Sequence, residues 1–442
     1  MAAAVLRPAG NLTPAHTPAF GPASGIQEFT PVFSPLVLRN RWFFSLTSMA
    51  LILATASGCH QNSGPDTTTA TASSADGTFA TKQFALLPVG SNKPTDIYLR
   101  DTLLFVYTQQ HVVYVLDRNS LEVKWVAKVA EEGSYIRPPV VLPNFVVLPT
   151  IGSLEIYDRY GRGHQTYPTR GLALHSGAVG YQTRIYFGGD AVGGGRVVCV
   201  DLNGSQYQKY SVAWELATRG GISGAPAVQD GLLYVGDDNG DVYAVNAFTR
   251  DAMWPMKEEG KEEHVFSVAG AIRADIKADH DGVYIASMDT KLYCLNPKTG
   301  KIKWQFYAGE PLVSSPDISP TSVYQYLEGV GLIAMDKNKG DAVRKARWIF
   351  PTGLRFLTED AKYAYLQQQD HSVVAVDLGT GKPKFVSRRK DYAAFAFVSM
   401  GDMIYSVSDE GVVRAATPRT DAMNFGEMAA LQSFDMQPIA AR

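Results

Sequence analysis

The chain of 442 residues is poor in the residues that most metal and redox sites need. It has three cysteines, Cys59, Cys199 and Cys294, with no two adjacent and no Cys-x-x-Cys-His sequence, which excludes a c-type haem attachment. Its eight histidines are scattered, without a His-x-x-x-His pair or a His/Cys cluster. The sequence therefore predicts no metal site and no cofactor, and it nominates no catalytic residue.

The chain also lacks an excess of charge of either sign, and it lacks long apolar runs. Lys and Arg number 41 against 43 Asp and Glu, and a net charge of −2 argues against a nucleic-acid binder. The apolar run 42–56 has only about fifteen residues, which is short for a membrane-spanning helix. With 45% hydrophobic and 19% charged residues, the composition is that of an ordinary globular protein.

What the chain does have is a repeat. Residues 281–304 contain three short runs of β-branched and aromatic residues separated by turn sequences. Residues 102–125, 231–254 and 362–385 follow the same pattern. A single meander of this size buries too little apolar surface to be stable alone, so we expect the copies to pack on one another.

An Asp or Asn closes the middle strand of each copy. These marks, 40 to 50 residues apart, are Asp117, Asp158, Asp201, Asn246, Asn296, Asp336 and Asp377. An eighth copy, residues 402–416, fits the first two strands and then stops. Eight units of four short antiparallel strands predict an all-β fold, an eight-bladed β-propeller.

A large aromatic residue follows most of the marks and is expected to cover the gap to the next blade. These residues are Trp125, Trp214, Trp254, Trp304, Trp348 and Phe385. The pattern Asn-x-x-Thr-Gly-Lys-x-x-Trp at Asn296–Trp304 resembles the tryptophan-docking repeat of PQQ-type propellers, and the resemblance covers roughly residues 84–417.

The ring needs a strand from elsewhere, because the eighth copy lacks its outer strand. An open ring would leave an exposed sheet edge. We predict that Phe84–Val89 pairs with the sheet of residues 402–416 as its outermost strand; the alternative is residues 425–437. The propeller is then residues 83–418, followed by a tail at 419–442.

The N-terminal part reads as an export signal. Residues 1–38, rich in Pro and Ala, are predicted to be unstructured, and a start codon assigned too far upstream is one explanation for them. Residues 39–58 have the basic and apolar regions of a secretory signal. The end of that signal, Ala56-Ser57-Gly58-Cys59, resembles the bacterial lipobox, which implies that Cys59 is acylated. The alternative is an internal membrane helix with an incidental Cys. Residues 59–82, rich in Ser, Thr and Ala, are expected to be a flexible tether.

A lipid-anchored propeller of eight such units resembles the family of BamB, a lipoprotein of the outer-membrane β-barrel assembly machinery. The resemblance implies a non-catalytic scaffold on the periplasmic face of the outer membrane that binds a BamA-like partner. The family's docking loop matches this chain at Leu216 and Arg219, departs at Thr218, and precedes the strand start Ser223–Pro226. The acidic pair that the family carries in the next inter-blade loop is absent from residues 266–269.

The main alternative is an enzyme or a ligand-binding propeller. Quinoprotein alcohol dehydrogenases share the repeat and carry a vicinal cysteine pair, which this chain lacks. We interpret Cys199 and Cys294 as core residues that form no disulfide, and Asp237–Asp241 as a hairpin turn instead of a calcium loop. The charged tracts 257–263 and 388–390 are predicted to be surface loops, with a partner-binding lobe as the alternative.

Overall fold

The computed structural model describes residues 69–70, 75–76, 79–129, 135–169, 171–203, 210–254, 266–387, 391–398, 401 and 403–418. The predicted extension, signal and Cys59 lie outside this set, as do the tracts 257–263 and 388–390 and the tail 419–442. Within the described ranges every regular element is a strand, and no helix there has the length and apolarity to cross a bilayer.

The strands form eight antiparallel sheets, which we call blades 1 to 8 and describe from the inner strand outwards. Blade 1 is Pro94–Arg100, Leu103–Thr108, Val112–Asp117 and Val123–Lys128. Blade 2 is Val140–Val141, Phe145–Pro149, Ser153–Asp158 and Gln165–Pro168. Blade 3 is Val179–Tyr181, Arg184–Ala191, Gly194–Asp201 and Ser211–Thr218. Blade 4 is Ala227–Gln229, Leu232–Gly236, Asp241–Asn246 and Ala252–Trp254, with Phe266–Ser267 paired to its third strand.

Blade 5 is Lys277–Ala278, Val283–Ala286, Lys291–Leu295 and Ile302–Tyr307, with Val343–Arg344 added in parallel at its edge. Blade 6 is Asp317–Ile318, Ser322–Leu327, Gly331–Asp336 and Trp348–Phe350. Blade 7 is Gly353–Glu359, Tyr363–Gln368, Val373–Asp377 and Pro383–Val386. Blade 8 is Tyr392–Ala396, Ile404–Ser408, Val412–Pro418 and the N-terminal Phe79–Leu86. The predicted eight-bladed propeller is confirmed.

The apolar core of the described residues is divided among the seams between blades. Each of eight buried clusters joins residues of two neighbouring blades, and the series runs from blades 1 and 2 round to blades 8 and 1. In the cluster between blades 4 and 5, for example, Tyr234 and Trp254 pack with Ile272 and Ile285. Because every sheet buries both faces against neighbours, no blade is stable without the others.

The side chains of the Asp and Asn marks hold the turns that follow the third strands. Each lies at the end of the third strand or directly after it, and its side-chain oxygen accepts backbone N–H groups of the following turn. Asn296 Oδ1 accepts from Lys298 and Thr299 at 3.0 Å each, and Asp117 Oδ1 accepts from Asn119 at 2.9 Å. Such Asx turns explain why only Asp or Asn recurs at the marks.

The aromatic residues of the outer strands reach across the seams. The indole N–H of Trp254 donates to the Pro297 carbonyl at 2.7 Å, one residue after the mark of the next blade. Trp125, Trp214 and Trp348 donate in the same way to Arg159, Ala247 and Leu378. The Pro297 carbonyl also accepts the hydroxyl of Tyr234 at 3.0 Å. An indole and a buried tyrosine thus tie one blade to the turn of the next.

Glycine in that turn makes room for the indole. Gly300 has φ +67°, and a Cβ there would lie 2.5 Å from the Trp254 ring. Gly381, with φ +68°, meets Trp348 in the same way. The Thr-Gly pair of the repeat therefore satisfies both the left-handed backbone and the close approach of the ring.

Trp304 is an exception among the tryptophans. Its buried indole nitrogen has no hydrogen-bond partner among the described residues. The carbonyl that it would be expected to use, that of Lys337, accepts the guanidinium of Arg344 at 3.3 Å. Arg344 comes from the added edge strand and lies 5.1 Å from the centre of the Trp304 ring. A cation–π contact thus replaces the indole hydrogen bond at this seam.

The ring is closed by the N-terminal strand, as predicted. Phe79–Leu86 pairs antiparallel with Val412–Pro418, in the register Phe84 to Arg414. The predicted bounds Phe84–Val89 were wrong at both ends, because the strand begins at Phe79, within the segment predicted as a tether, and ends at Leu86. Thr69–Ala70 and Ala75–Asp76 pair with it further out. The alternative closing segment, 425–437, lies outside the described residues.

The two described cysteines are free and buried, Cys199 in the cluster between blades 3 and 4 and Cys294 in that between blades 5 and 6. Burial raises the pKa of each thiol to about 12, against a weaker lowering by nearby Arg184 for Cys199 and Lys303 for Cys294. These thiols belong to the core, as interpreted from the sequence.

We expect Trp254→Ala to destabilise the protein by about 3–5 kcal/mol, because it empties a buried site and removes the bond to Pro297. Denaturant unfolding followed by circular dichroism measures the loss. Ile302→Ala, at a half-exposed residue of blade 5, is the control and should change stability by less than about 0.5 kcal/mol. Equal losses in the two variants would contradict the docking role.

We expect Cys199 and Cys294 to resist a thiol reagent at pH 8 in the native protein, because both are buried and protonated. In guanidinium chloride both should react at the rate of a free peptide thiol. The measurement is the number of modified thiols, determined by mass spectrometry on a protein of residues 60–442, which contains only these two cysteines. Fast labelling without denaturant would contradict the burial of the two thiols between blades.

Candidate functional site

Of the two residues matched to a docking loop, Arg219 is the one that faces solvent. It directly follows the outer strand of blade 3, and 61% of its side chain is exposed. Its Nη1 lies 3.4 Å from the Asp241 carboxylate. Leu216, within that strand, is half-buried against the cluster between blades 3 and 4. The loop therefore presents a charge on an apolar base.

The backbone of the loop is fixed by the next blade. The N–H of Arg219 donates to the hydroxyl of Tyr243 at 3.0 Å, and the N–H of Gly220 donates to Asp237 at 2.9 Å. Thr218, which departs from the matched pattern, is buried, and its hydroxyl donates to the Gly220 carbonyl at 2.8 Å. These bonds fix the backbone from which the Arg219 side chain extends.

Glycines of the neighbouring turn allow the loop to lie close. Gly194 begins the third strand of blade 3 with φ +150°, and a Cβ on it would collide with the carbonyls of Thr218 and Arg219. Gly193 lies in the hairpin turn and Gly194 and Gly195 begin the third strand, so this hairpin lies against the loop.

The sequence Asp237–Asp241 is the hairpin predicted for it. Gly240 has φ +88°, and the buried Asp237 accepts the backbone N–H groups of Asn239 and Asp241 at 3.0 and 2.9 Å. Both carboxylate oxygens of Asp237 thus accept backbone N–H groups, one from the turn and the other from Gly220. Asp237 therefore fixes the backbone beside Arg219.

The acidic groups beside the loop come from this hairpin. Residues 266–269 carry none, as noted from the sequence, and Ser267 instead donates to Asp241. Arg273, in the next inter-blade loop, is exposed and lies 3.8 Å from Asp238. The sequence analysis did not identify Arg273. If the two inter-blade loops are aligned on Ile222 and Ile272, Arg273 occupies the position equivalent to Ser223, and the Ser223 hydroxyl also donates to Asp238.

We call the face that carries these loops the inter-blade face. In an antiparallel four-stranded blade, the turn between the second and third strands lies at the same end of the blade as the C-terminus of the outer strand. Arg219, Arg273 and the hairpin 237–241 therefore share this face, whereas the marks lie on the opposite face.

The inner strands bring charged groups of both signs together. The Asp275 carboxylate accepts the N–H of Ala225 at 3.0 Å and pairs with Lys277 at 3.3 Å. Burial raises the pKa of Asp317 to about 6, although the positive charges of Arg355 and Lys277 oppose the rise. Acidic and basic side chains of the inner strands therefore lie close to one another.

One acidic cluster has the spacing of a metal site but holds an internal cation. Asp279, His280 and Asp281 bring ligand-type atoms within 4.8 Å of one another. The buried Nζ of Lys337 lies 2.6 Å from Asp279 and 2.9 Å from Asp281. The hydrogen bond from Lys337 keeps the pKa of Asp281 below its usual value. The cluster thus joins blades 5 and 6.

Solved structures resemble this fold at low sequence identity. BamB from Moraxella catarrhalis aligns with a TM-score of 0.58 and 14% identity over 78% of this chain and 99% of that chain. Sqt1 from Saccharomyces cerevisiae aligns with a TM-score of 0.54 and 12% identity over 75% of this chain and 97% of that one. At such identities the likeness concerns the fold alone.

Curated relatives match a shorter stretch. Lupanine 17-hydroxylase [cytochrome c] from a Pseudomonas species is 27% identical over 117 residues, 25% of this chain and 17% of that protein. Quinohemoprotein alcohol dehydrogenase ADH IIB from Pseudomonas putida is 26% identical over 113 residues, 25% of this chain and 16% of that protein. The chain thus matches about a sixth of the length of these relatives.

The family comparison covers more of the chain. A family model described as outer membrane protein assembly factor BamB matches residues 161–278 and 266–393, which together are over half of the sequence. This stretch contains the loop with Arg219, the hairpin 237–241 and Arg273. The chain belongs to the family of the outer membrane protein assembly factor BamB.

Proposed function

We propose that this protein is a non-catalytic, membrane-anchored scaffold that holds a protein partner at the bacterial cell envelope, as a BamB-like component of outer-membrane protein assembly. The observation that carries the proposal is the guanidinium of Arg219, exposed on a loop whose backbone is fixed by Tyr243 and Asp237. The partner is a BamA-like barrel assembly protein on the periplasmic face of the outer membrane.

The chemistry of this surface favours an acidic partner. Arg219 and Arg273 are both exposed on the inter-blade face. Arginine is prominent among residues that dominate interface energies, because its planar fork binds carboxylates with two parallel hydrogen bonds. A loop already fixed in its bound shape loses little conformational entropy on binding. Leu216 is half-buried against the cluster between blades 3 and 4 and is therefore only partly accessible to a partner.

The anchor is the part of the proposal that depends on sequence alone. Acylation of Cys59, followed by the tether, would place the propeller close to a bilayer. The residue after the cysteine is His60, not Asp, which is compatible with sorting to the outer membrane. A membrane-bound partner would then meet the scaffold at a raised effective concentration.

Arg219→Glu should lower recovery of the partner by about tenfold or more, because it places a carboxylate where the partner's carboxylate would lie. The measurement is quantitative cross-linking mass spectrometry on the native lipoprotein, purified from membranes in mild detergent. Arg219→Gln, which removes charge without adding repulsion, should give a smaller loss.

Arg162→Glu is the matched control, since Arg162 is an exposed arginine of a turn on the opposite face. It should leave recovery unchanged, and thermal unfolding should be alike in all variants. If Arg219→Glu retains every cross-linked partner of the wild type, the loop is not the docking site.

Cys59→Ser should release the protein from the membrane fraction into the soluble periplasm, because the acylated thiol would be lost. Wild-type protein should begin at Cys59 and carry the mass of an acylated N-terminus. A mature wild-type chain that begins at another residue would refute the anchor, while leaving the Arg219 test unaffected.

The matches to quinoprotein enzymes favour a second candidate, a PQQ-dependent enzyme. The described residues fit that cofactor poorly: the chain has no vicinal cysteines, and Lys337 already neutralises the acidic cluster at 279–281. Adding PQQ and Ca²⁺ with an electron-accepting dye tests it. Saturable dye reduction would favour the enzyme over the scaffold.

A further inference from the structure

The three residues that precede the docking ring differ between blades. In blades 5, 6 and 7 they are basic, apolar and basic: Lys301-Ile302-Lys303, Lys345-Ala346-Arg347 and Lys382-Pro383-Lys384. In blades 1, 3 and 4 they are Glu122-Val123-Lys124, Ser211-Val212-Ala213 and Asp251-Ala252-Met253. Three consecutive blades thus place a lysine at the same position, three residues before the ring.

These lysines lie at the end of the propeller that carries the marks, which we call the mark face. Lys301, Lys345 and Lys382 are exposed, and none has an ion pair with a described residue. In blades 5 and 7 the lysine carbonyl accepts the backbone N–H of the mark, Asn296 at 2.8 Å and Asp377 at 2.9 Å. The turn therefore fixes the backbone of the lysine, while the side chain extends into solvent.

The turns around these lysines add to the positive charge. The two turns that each of blades 5 to 7 places on the mark face are described completely, and together they contain eleven Lys or Arg and six Asp or Glu. Their residues are 279–282, 296–303, 319–321, 336–347, 360–362 and 377–384. The equivalent turns of blades 1, 2 and 4 contain five basic and six acidic residues. The excess of basic residues is thus confined to one part of the face.

Acidic groups in these turns are held by internal donors. The buried Lys337 lies 2.6 Å from Asp279 and 2.9 Å from Asp281. Asp377 accepts the hydroxyl and the N–H of Thr380 at 2.8 and 2.9 Å, and these bonds keep the pKa of Asp377 below its usual value. These carboxylates support the turns, whereas the exposed lysines remain available to a partner.

The other end of the same blades has the opposite charge. The turn between the second and third strands contains an acidic residue and no lysine or arginine in each of blades 4 to 8. These residues are Asp238, Asp289, Glu328, Asp370 and Asp409. A negatively charged surface would therefore attract the mark face of blades 5 to 7 and repel these turns.

We propose that the lysines on the mark face of blades 5 to 7 bind the anionic headgroups of a phospholipid bilayer. A bilayer fits them because they are flexible, hydrated point charges spread over three blades, and anionic lipids attract such residues. Ile302, between Lys301 and Lys303, is 49% exposed and adds an apolar contact. The inference rests on the proposed membrane anchoring, and it turns the inter-blade face with Arg219 away from the bilayer.

The tether is long enough for this orientation. Thr69 pairs with Ala85, toward the inter-blade end of the closing strand. The ten residues from Cys59 to Thr69 can span about 33 Å when extended, whereas the eight-residue closing strand is about 27 Å long. An acyl group on Cys59 can therefore reach a bilayer that lies against the mark face.

The test uses the protein of residues 60–442, which contains every described residue and lacks the acyl anchor. At low ionic strength it should sediment with vesicles of phosphatidylcholine that contain phosphatidylglycerol, and not with vesicles of phosphatidylcholine alone. Salt on the order of 1 M should release it, because the attraction between exposed charges is then screened.

Two double variants locate the surface. Lys301→Gln with Lys382→Gln should lower the vesicle partition coefficient by about tenfold or more, because each lysine near an anionic bilayer contributes to binding. The matched control, Lys124→Gln with Arg162→Gln, removes two positive charges from the mark face of blades 1 and 2 and should lower it less than about twofold. Thermal unfolding should be alike in both variants, since all four side chains are exposed.

A photoactivatable phosphatidylglycerol should cross-link to peptides that cover residues 296–303 and 377–384, and not to the peptide that contains Arg219. The proposal is overturned if phosphatidylglycerol adds no binding, if the control loses as much binding as the lysine variant, or if the cross-links fall on the inter-blade face. Equally tight binding of a DNA duplex would overturn the assignment to lipid. These outcomes depend on neither Cys59 nor Arg219, so they are distinct from a failure of the proposed function.

Discussion

The structure depends on one joint that recurs around the ring: an aromatic ring of one blade placed on the Asx turn of the next. A four-stranded sheet of this length has two apolar faces and cannot shield either alone. The joint provides buried area and a directed hydrogen bond, as where Trp254 meets Pro297 and Gly300. At each such joint one blade therefore fixes the orientation of the next blade as well as covering its apolar face.

The variations of the joint are as informative as its regular form. At the seam of blades 5 and 6, Arg344 takes the carbonyl that an indole would use, and Lys337 fills the acidic cluster beside it. At the seam of blades 8 and 1, Gln83 stands at the position of a docking indole, and the buried Leu121 lies at the turn position where blades 5 and 7 have Gly300 and Gly381. The frame tolerates such changes because the remaining seams keep the propeller closed.

The same frame explains how a loop of this member of the BamB family comes to have a fixed backbone. Arg219 lies on a loop, but its position is set by Tyr243 and Asp237 of the following blade. The backbone of the loop is thus held by hydrogen bonds to the sheet of the next blade. The proposed scaffold function would depend on this rigidity, since a scaffold holds its partner in one orientation.

The repeat made the architecture predictable. Asp and Asn marks, Thr-Gly turns and spaced tryptophans are local signals, and the missing outer strand of the last copy indicated closure by the N-terminal segment. Contacts between distant segments were not predictable in this way. The pairing of Arg273 with Asp238, and of Lys337 with Asp279, depends on which turns the ring brings together. The buried tyrosines, such as Tyr234, recur visibly in the sequence, yet only the structure shows that they share a carbonyl with the docking indole.

The start of the closing strand was also misplaced, because Phe79–Lys82 has the polar composition of a tether. Pairing with the edge of blade 8 overrides that composition. Composition therefore predicts disorder only where no unpaired sheet edge is within reach.

The central claim is that the ring is closed by Phe79–Leu86 as the outer strand of blade 8. Hydrogen–deuterium exchange followed by mass spectrometry tests it most directly, on peptides that cover residues 82–87 and 412–417. The account predicts that both are protected and exchange together, as slowly as the outer strands of the other blades. Complete exchange of residues 82–87 at the earliest time point, with the remaining outer strands still protected, would contradict it.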